Sequence, residues 1–119
     1  MQSFRNLKVW EKAHVMTLDV YGSTRLFPKE EMYGLTSQMR RAAASVGANI
    51  AKGSCRKGDK DFGRFLQIAM GSTSELEYHI LLAHDLELLK TVDYERLFAE
   101  AVEVKRMLAS LLQKLRAES

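Results

Sequence analysis

The sequence predicts an all-α fold: an antiparallel, up-down-up-down bundle of four helices forming a single domain over residues 1–119. Three observations predict it. Apolar residues recur at alternating spacings of three and four along four separate stretches. One proline and seven glycines are the only strong punctuation, which favours a few long elements over many short strands. The breaks between stretches are short, and short connections force successive helices to run antiparallel.

The first segment runs from Leu7 to Thr24, with rows Leu7, Trp10, His14, Thr17, Tyr21 and Val9, Ala13, Met16, Val20. Val15 and Leu18 add apolar surface outside the second row, more than one core-facing stripe requires. The surplus fits either an unusually central helix or a subunit interface. Phe27-Pro28-Lys29-Glu30 ends this helix, because proline cannot continue it and disfavours helical geometry just before itself. The second segment, Met32 to Ser54, carries the seam Leu35, Met39, Ala42, Val46, Asn49 and Gly53. The loop Cys55-Arg56-Lys57-Gly58 follows, with Asp59 as the expected N-cap of the next helix. The third segment, Lys60 to Leu89, has the seam Phe62, Phe65, Ala69, Ser72, Leu76, His79, Ala83 and Leu86. Lys90-Thr91-Val92 is the next turn and Asp93 the expected cap of the last helix, whose seam is Leu97, Ala101, Val104, Leu108, Leu111 and Leu115.

Composition excludes several classes. The lone cysteine, Cys55, cannot form an intramolecular disulfide. No apolar run follows Met1 or approaches the ~20 residues that span a bilayer, so a cytoplasmic protein without a membrane partner is expected. A carboxylate-bridged metal pair in a bundle needs two Glu-x-x-His motifs, and Glu11 with His14 is the only one. His79 and His84 lack the preceding glutamate, and all three histidines are expected to be hydrogen-bonded seam residues. Cys55 has no histidine near it in this topology and reads as an ordinary loop cysteine. Gly53, Gly58 and Gly63 are too loosely spaced to cradle a phosphate. No catalytic residue, metal ligand or cofactor is therefore assigned, and no enzymatic activity is expected.

Polar residues on apolar seams need partners. Asn49 and Ser72 are such residues, and Glu75 lies about one turn from the level of Arg40 and Arg41. An arginine–carboxylate bridge there would pin the second helix against the third, a structural role weighed against a ligand site.

The net charge of +3 is modest, but its distribution is uneven. The end holding the chain start, the loop after the second helix and the C-terminus gathers Arg5, Lys8, Lys12, Lys52, Arg56, Lys57, Lys60, Arg64, Lys114 and Arg116 against Glu11, Asp59, Asp61 and Glu118. The other end is acidic, with Asp19, Glu30, Glu31, Asp85, Glu87, Asp93 and Glu95 against Arg25, Lys29, Lys90 and Arg96. A solvated face is the plain reading of such a run. The functional reading is a phosphate-binding surface of Lys52, Arg56, Lys57, Lys60, Arg64, Lys8 and Lys12, multiplied if subunits form a ring. Trp10, Phe62 and Phe65 are claimed by the seams, so exposed stacking aromatics are expected to be missing and binding to be directed at the backbone.

Phe4-Arg5-Asn6-Leu7-Lys8-Val9-Trp10, Phe27-Pro28-Lys29-Glu30-Glu31, Tyr33-Gly34-Leu35-Thr36, Gln38-Met39-Arg40-Arg41-Ala42-Ala43, Asn49-Ile50-Ala51 and Gly71-Ser72-Thr73-Ser74-Glu75-Leu76 resemble motifs of a bacterial four-helix-bundle family. Its genes lie in intervening sequences of large-subunit rRNA genes. The resemblance covers roughly three quarters of the chain; the last helix is generic. It implies a homopentameric ring. It also implies kinship with accessory variability determinants of diversity-generating retroelements, which bind nucleic acid and a reverse transcriptase through a basic surface. One position departs: Lys52 stands where the family usually has glutamate. The function expected is a non-enzymatic, oligomeric nucleic-acid-binding accessory, for structured RNA (or DNA); the alternative is an oligomeric protein-binding scaffold.

Overall fold

The computed structural model describes residues 3–118 and contains four α-helices: α1 (Lys8–Thr24), α2 (Leu35–Ser54), α3 (Asp59–Asp85) and α4 (Thr91–Glu118). Consecutive helices pack side by side and α1 closes on α4, while the diagonal pairs stay apart. The product is a rod of 46 × 22 × 20 Å, so the two ends are distinct surfaces. One core runs its length, with Met16 and Val20 of α1, Met39, Val46 and Ile50 of α2, Leu66, Leu76 and Ile80 of α3, and Leu97, Val104 and Leu108 of α4 fully buried.

Seam reading holds best in α2, where all six expected residues are buried. The approach of α2 to α3 explains its glycine: a Cβ on Gly53 would lie 2.8 Å from Phe62 Cδ1 and 2.9 Å from Phe65 Cβ. In α1 the row Val9, Ala13, Met16, Val20 is buried, with Thr24 at the helix end, and the other row is not. Val15 is 54% and Leu18 59% exposed, so the surplus apolar surface faces outward and α1 is not a central helix. In α4 Leu112 is buried, whereas Leu111 and Leu115 are only partly covered.

Element ends depart from expectation by a few residues, each for a local reason. Pro28 starts a 3-10 turn at Lys29–Glu31, so α2 begins at Leu35 rather than Met32. Gly58, at φ 104°, occupies the N-cap position expected of Asp59, which becomes the first residue of α3. Thr91, not a residue after Asp93, opens α4. The end of α3 moves most, from Leu89 back to Asp85. There Glu87 takes a left-handed φ of 63°. Its N–H donates to the His84 carbonyl (2.9 Å), and the Leu88 N–H donates to the Ala83 carbonyl (2.9 Å). This paired closure is the Schellman motif, with glutamate in the place glycine usually fills. It leaves Leu86 exposed and buries Leu89 instead.

Candidate nucleic-acid interface

The α2–α3 turn gathers five of the expected basic residues. Lys52 lies in the last turn of α2, Arg56 and Lys57 in the connection, and Lys60 and Arg64 in the first two turns of α3. All five are exposed. Among the described residues Lys52, Lys57 and Lys60 have no ion-pair partner. Asp59 and Asp61 face the positive end of the α3 dipole, which favours carboxylates there. Asp61 also receives both arginines, Arg56 at 3.8 Å and Arg64 at 3.1 Å. Their guanidinium carbons sit 4.7 and 4.5 Å from the centre of the Phe65 ring. Phe65 thus joins the core to the basic turn, a role that its seam position did not disclose. It steadies two long side chains whose remaining donors face water.

Lys57, Lys60 and Arg64 border one shallow depression, and Arg56, Lys57 and Lys114 another. Both depressions are open and of mixed charge, since Asp59 and Asp61 also line the first and Asp59 and Glu118 the second. Lys8 and Lys12 lie elsewhere. They line a groove of about 470 Å³ between α1 and α4, shared with Glu11, Glu100 and Glu103. Burial first, then a hydrogen bond and the nearby charge of Asp19, push the Glu100 carboxyl up to about 7, against the pull of Arg96 and Lys12. With Glu11, Glu100 and Glu103 beside two lysines, this groove is a carboxyl-rich site rather than an extension of the basic turn.

The expected polar cluster is divided. Ser45 and Ser72 hydroxyls meet at 2.9 Å, and Asn49 Nδ2 donates to the Ser45 carbonyl (2.8 Å) and hydroxyl (3.1 Å), so Asn49 and Ser72 belong to one hydrogen-bonded chain. Arg41 meets Glu75 at 3.4 Å, but their side chains are 66% and 41% exposed, so the bridge is a surface one. Arg40 does not join it. It donates from Nε to Thr24 Oγ1 (2.9 Å) and from Nη2 to the Tyr21 carbonyl (3.4 Å), tying α2 to α1. A stronger inter-helix clasp lies where no seam pointed: Arg96 of α4 holds Asp19 of α1 through two bonds of 2.9 and 3.1 Å, and also Asp93 at 2.8 Å.

The histidines correct another expectation. Only His79 is buried, and its Nδ1 has no hydrogen-bond partner. His14 is exposed and stacks on Trp10 at 4.8 Å, and His84 stacks on Tyr94 at 4.3 Å with its Nε2 3.2 Å from Thr91 Oγ1. Among the described residues no three His, Cys, Asp or Glu side chains are placed to hold a metal. Cys55 is exposed, with Sγ donating to the Lys52 carbonyl at 3.1 Å. None of the described helices is long and apolar enough to cross a membrane. The expected lack of exposed aromatics is also wrong: Tyr21, Tyr33 and Tyr78 all face solvent.

Residues 5–110 match the family described as 23S rRNA-intervening sequence protein. Curated proteins yield no match. A crystal structure of a protein of unknown function from the S23 ribosomal protein family of Bacteroides thetaiotaomicron is similar, with a TM-score of 0.81 and 24% identity, over 88% of this chain and 95% of that one. At that identity the likeness speaks for the fold, and it supports the four-helix bundle directly.

Proposed function

Because this chain belongs to the 23S rRNA-intervening sequence protein family, we propose that it is a non-enzymatic, oligomeric accessory protein that binds structured RNA through the α2–α3 turn. The observation that carries the reading is the cluster of exposed Lys52, Lys57 and Lys60 without carboxylate partners, beside Arg56 and Arg64 steadied on Phe65. Phosphates would replace water and counterions at these groups, and no base edge needs to be read. The lysine at position 52 strengthens such a surface where a glutamate would weaken it.

Assembly enters through α1. Val15 and Leu18 on its outer face, with Val102 exposed on α4, supply apolar area for a subunit contact. A closed ring, five subunits by family resemblance, would place every copy of the α2–α3 turn on one side, so weak phosphate contacts add. The reading implies a cytoplasmic protein that works where RNA is made.

The scaffold alternative has its own support: Leu26, Leu86 and Val92 are exposed at the acidic end, a surface suited to a protein partner such as the reverse transcriptase that the resemblance implies. The deciding experiment is charge reversal, Arg56→Glu with Lys57→Glu, followed by light scattering and RNA binding. Loss of RNA from an intact oligomer supports the RNA reading. Unchanged RNA binding, or an oligomer that binds none at low salt, favours the scaffold.

A further inference from the structure

The far end of α2 carries a second arrangement of cations and aromatic rings. Tyr21, Met32, Tyr33, Thr36, Arg40 and Arg41 line a depression of about 380 Å³ where α1 meets the start of α2. Tyr33 is 96% exposed, so both faces of its ring are free. The Arg40 guanidinium lies 4.8 Å above the Tyr21 ring and, among the described residues, has no carboxylate partner. Arg41 is engaged only by its exposed 3.4 Å contact with Glu75, a pair that an incoming anion can displace at little expense. Thr36, 5% exposed, has a buried hydroxyl with no hydrogen-bond partner. The Arg40 guanidinium, without a carboxylate partner, lacks a countercharge that an anionic ligand would supply.

We infer that this depression binds one unpaired nucleotide of a single-stranded nucleic acid, its base against Tyr33 and its phosphate at Arg40 and Arg41. Stacking on tyrosine needs a base free of a duplex, because a paired base presents only its edges. Arginine supplies a planar, multi-donor partner for phosphate oxygens. Glu31 sets the limit on where the phosphate sits: its Oε1 already accepts the Leu35 N–H at 3.2 Å, so the anion belongs beside the arginines rather than on the α2 N-terminus. The 20 residues of α2, at about 1.5 Å each, separate this site from the basic turn by roughly 30 Å. A structured RNA with a duplex portion and an unpaired end or loop could then occupy both. The inference rests on the nucleic-acid reading and adds a preference for unpaired bases.

The test is fluorescence anisotropy at fixed salt with a labelled oligouridine and, separately, a labelled RNA duplex of the same length. Tyr33→Ala should weaken oligouridine binding roughly tenfold, within the range for one stacked base, and leave the duplex unaffected. Tyr33→Phe should retain wild-type affinity, and Arg41→Ala should weaken the single strand. Because Tyr33 touches little, its variants keep the fold, which circular dichroism checks. Equal oligouridine affinity in wild type and Tyr33→Ala overturns the inference, as does equal weakening for strand and duplex. Oligouridine and duplex binding that both depend on Arg56 and Lys57, with neither depending on Tyr33, leaves the proposed function standing while sinking this site. Absence of all RNA binding by the wild type removes both.

Discussion

Replacing Gly53 with alanine sets two effects against each other. A glycine inside a helix is about 1 kcal/mol worse than alanine, so propensity alone predicts stabilisation. The added methyl, however, would sit 2.8 Å from Phe62 Cδ1 and 2.9 Å from Phe65 Cβ. The Phe62 ring can swing aside, but Phe65 Cβ is fixed to the α3 backbone, so the helices must part by a large fraction of an ångström. Overpacking of this kind costs about 1–3 kcal/mol, and an immovable Cβ argues for the upper part of that range. The net expectation is a loss of about 1–2 kcal/mol, or roughly 4–8 °C in Tm at about 4 °C per kcal/mol. Gly71 provides the control, since a Cβ there meets nothing within 4 Å. Gly71→Ala should stabilise by about 0.5–1 kcal/mol. Thermal unfolding followed by circular dichroism reads both. A Gly53→Ala protein as stable as the wild type, or stabilised like Gly71→Ala, would refute the tight α2–α3 approach.

Phe65→Ala should lose about 3–5 kcal/mol in urea titration, since the ring is 8% exposed; a loss under ~1 would remove it from the core. Glu75→Ala should shift the same midpoint by less than ~1 kcal/mol, because its bridge to Arg41 is exposed. Glu87→Gly should raise stability by about 0.5–1 kcal/mol by relieving a left-handed glutamate, measured as a higher Tm; a lower Tm would contradict the α3 closure. The Glu100 carboxyl, raised from 4.5 to about 7, makes the folded state bind a proton that the unfolded state releases. Its contribution to stability therefore falls as pH rises from about 4.5 to 7, and Glu100→Gln should flatten that fall in urea titrations across the window. His79 acts in the opposite sense: burial lowers its pKa below 6.5, Arg41 adding to this and Glu75 opposing it. The unfolded chain then takes up the proton first, and stability drops as pH falls below about 6.5, a drop that His79→Gln should lessen.

The bundle was legible because its signal is periodic and redundant; one misplaced residue in a seam does not change the fold. Element ends were less legible. The unwinding at Glu87 comes from backbone hydrogen bonds to Ala83 and His84, and glutamate gives no hint of a left-handed residue. The basic turn could be read from Arg56, Lys57 and Lys60 because neighbours in sequence stay neighbours in a turn. Lys8 and Lys12 could not, since the facing of α1 toward Glu100 and Glu103 depends on the packing of α4. The Arg96–Asp19 clasp joins residues far apart in sequence and on no apolar seam, so periodicity carried no trace of it. The exposure of Tyr33 left no periodic trace for a different reason: it lies just before the N-cap Gly34, where no helical period applies.

The most direct test of the RNA-binding claim is the salt dependence of affinity for a structured RNA, in wild type and in the Arg56→Glu, Lys57→Glu protein. Each neutralised phosphate contributes roughly −0.7 to −0.9 to the slope of log K against log salt. Lys52, Arg56, Lys57, Lys60 and Arg64 together predict a steep wild-type slope, and losing two contacts should flatten it by about 1.4–1.8 units while the oligomer persists. A shallow wild-type slope, or one that the double substitution leaves unchanged, would contradict binding at the α2–α3 turn.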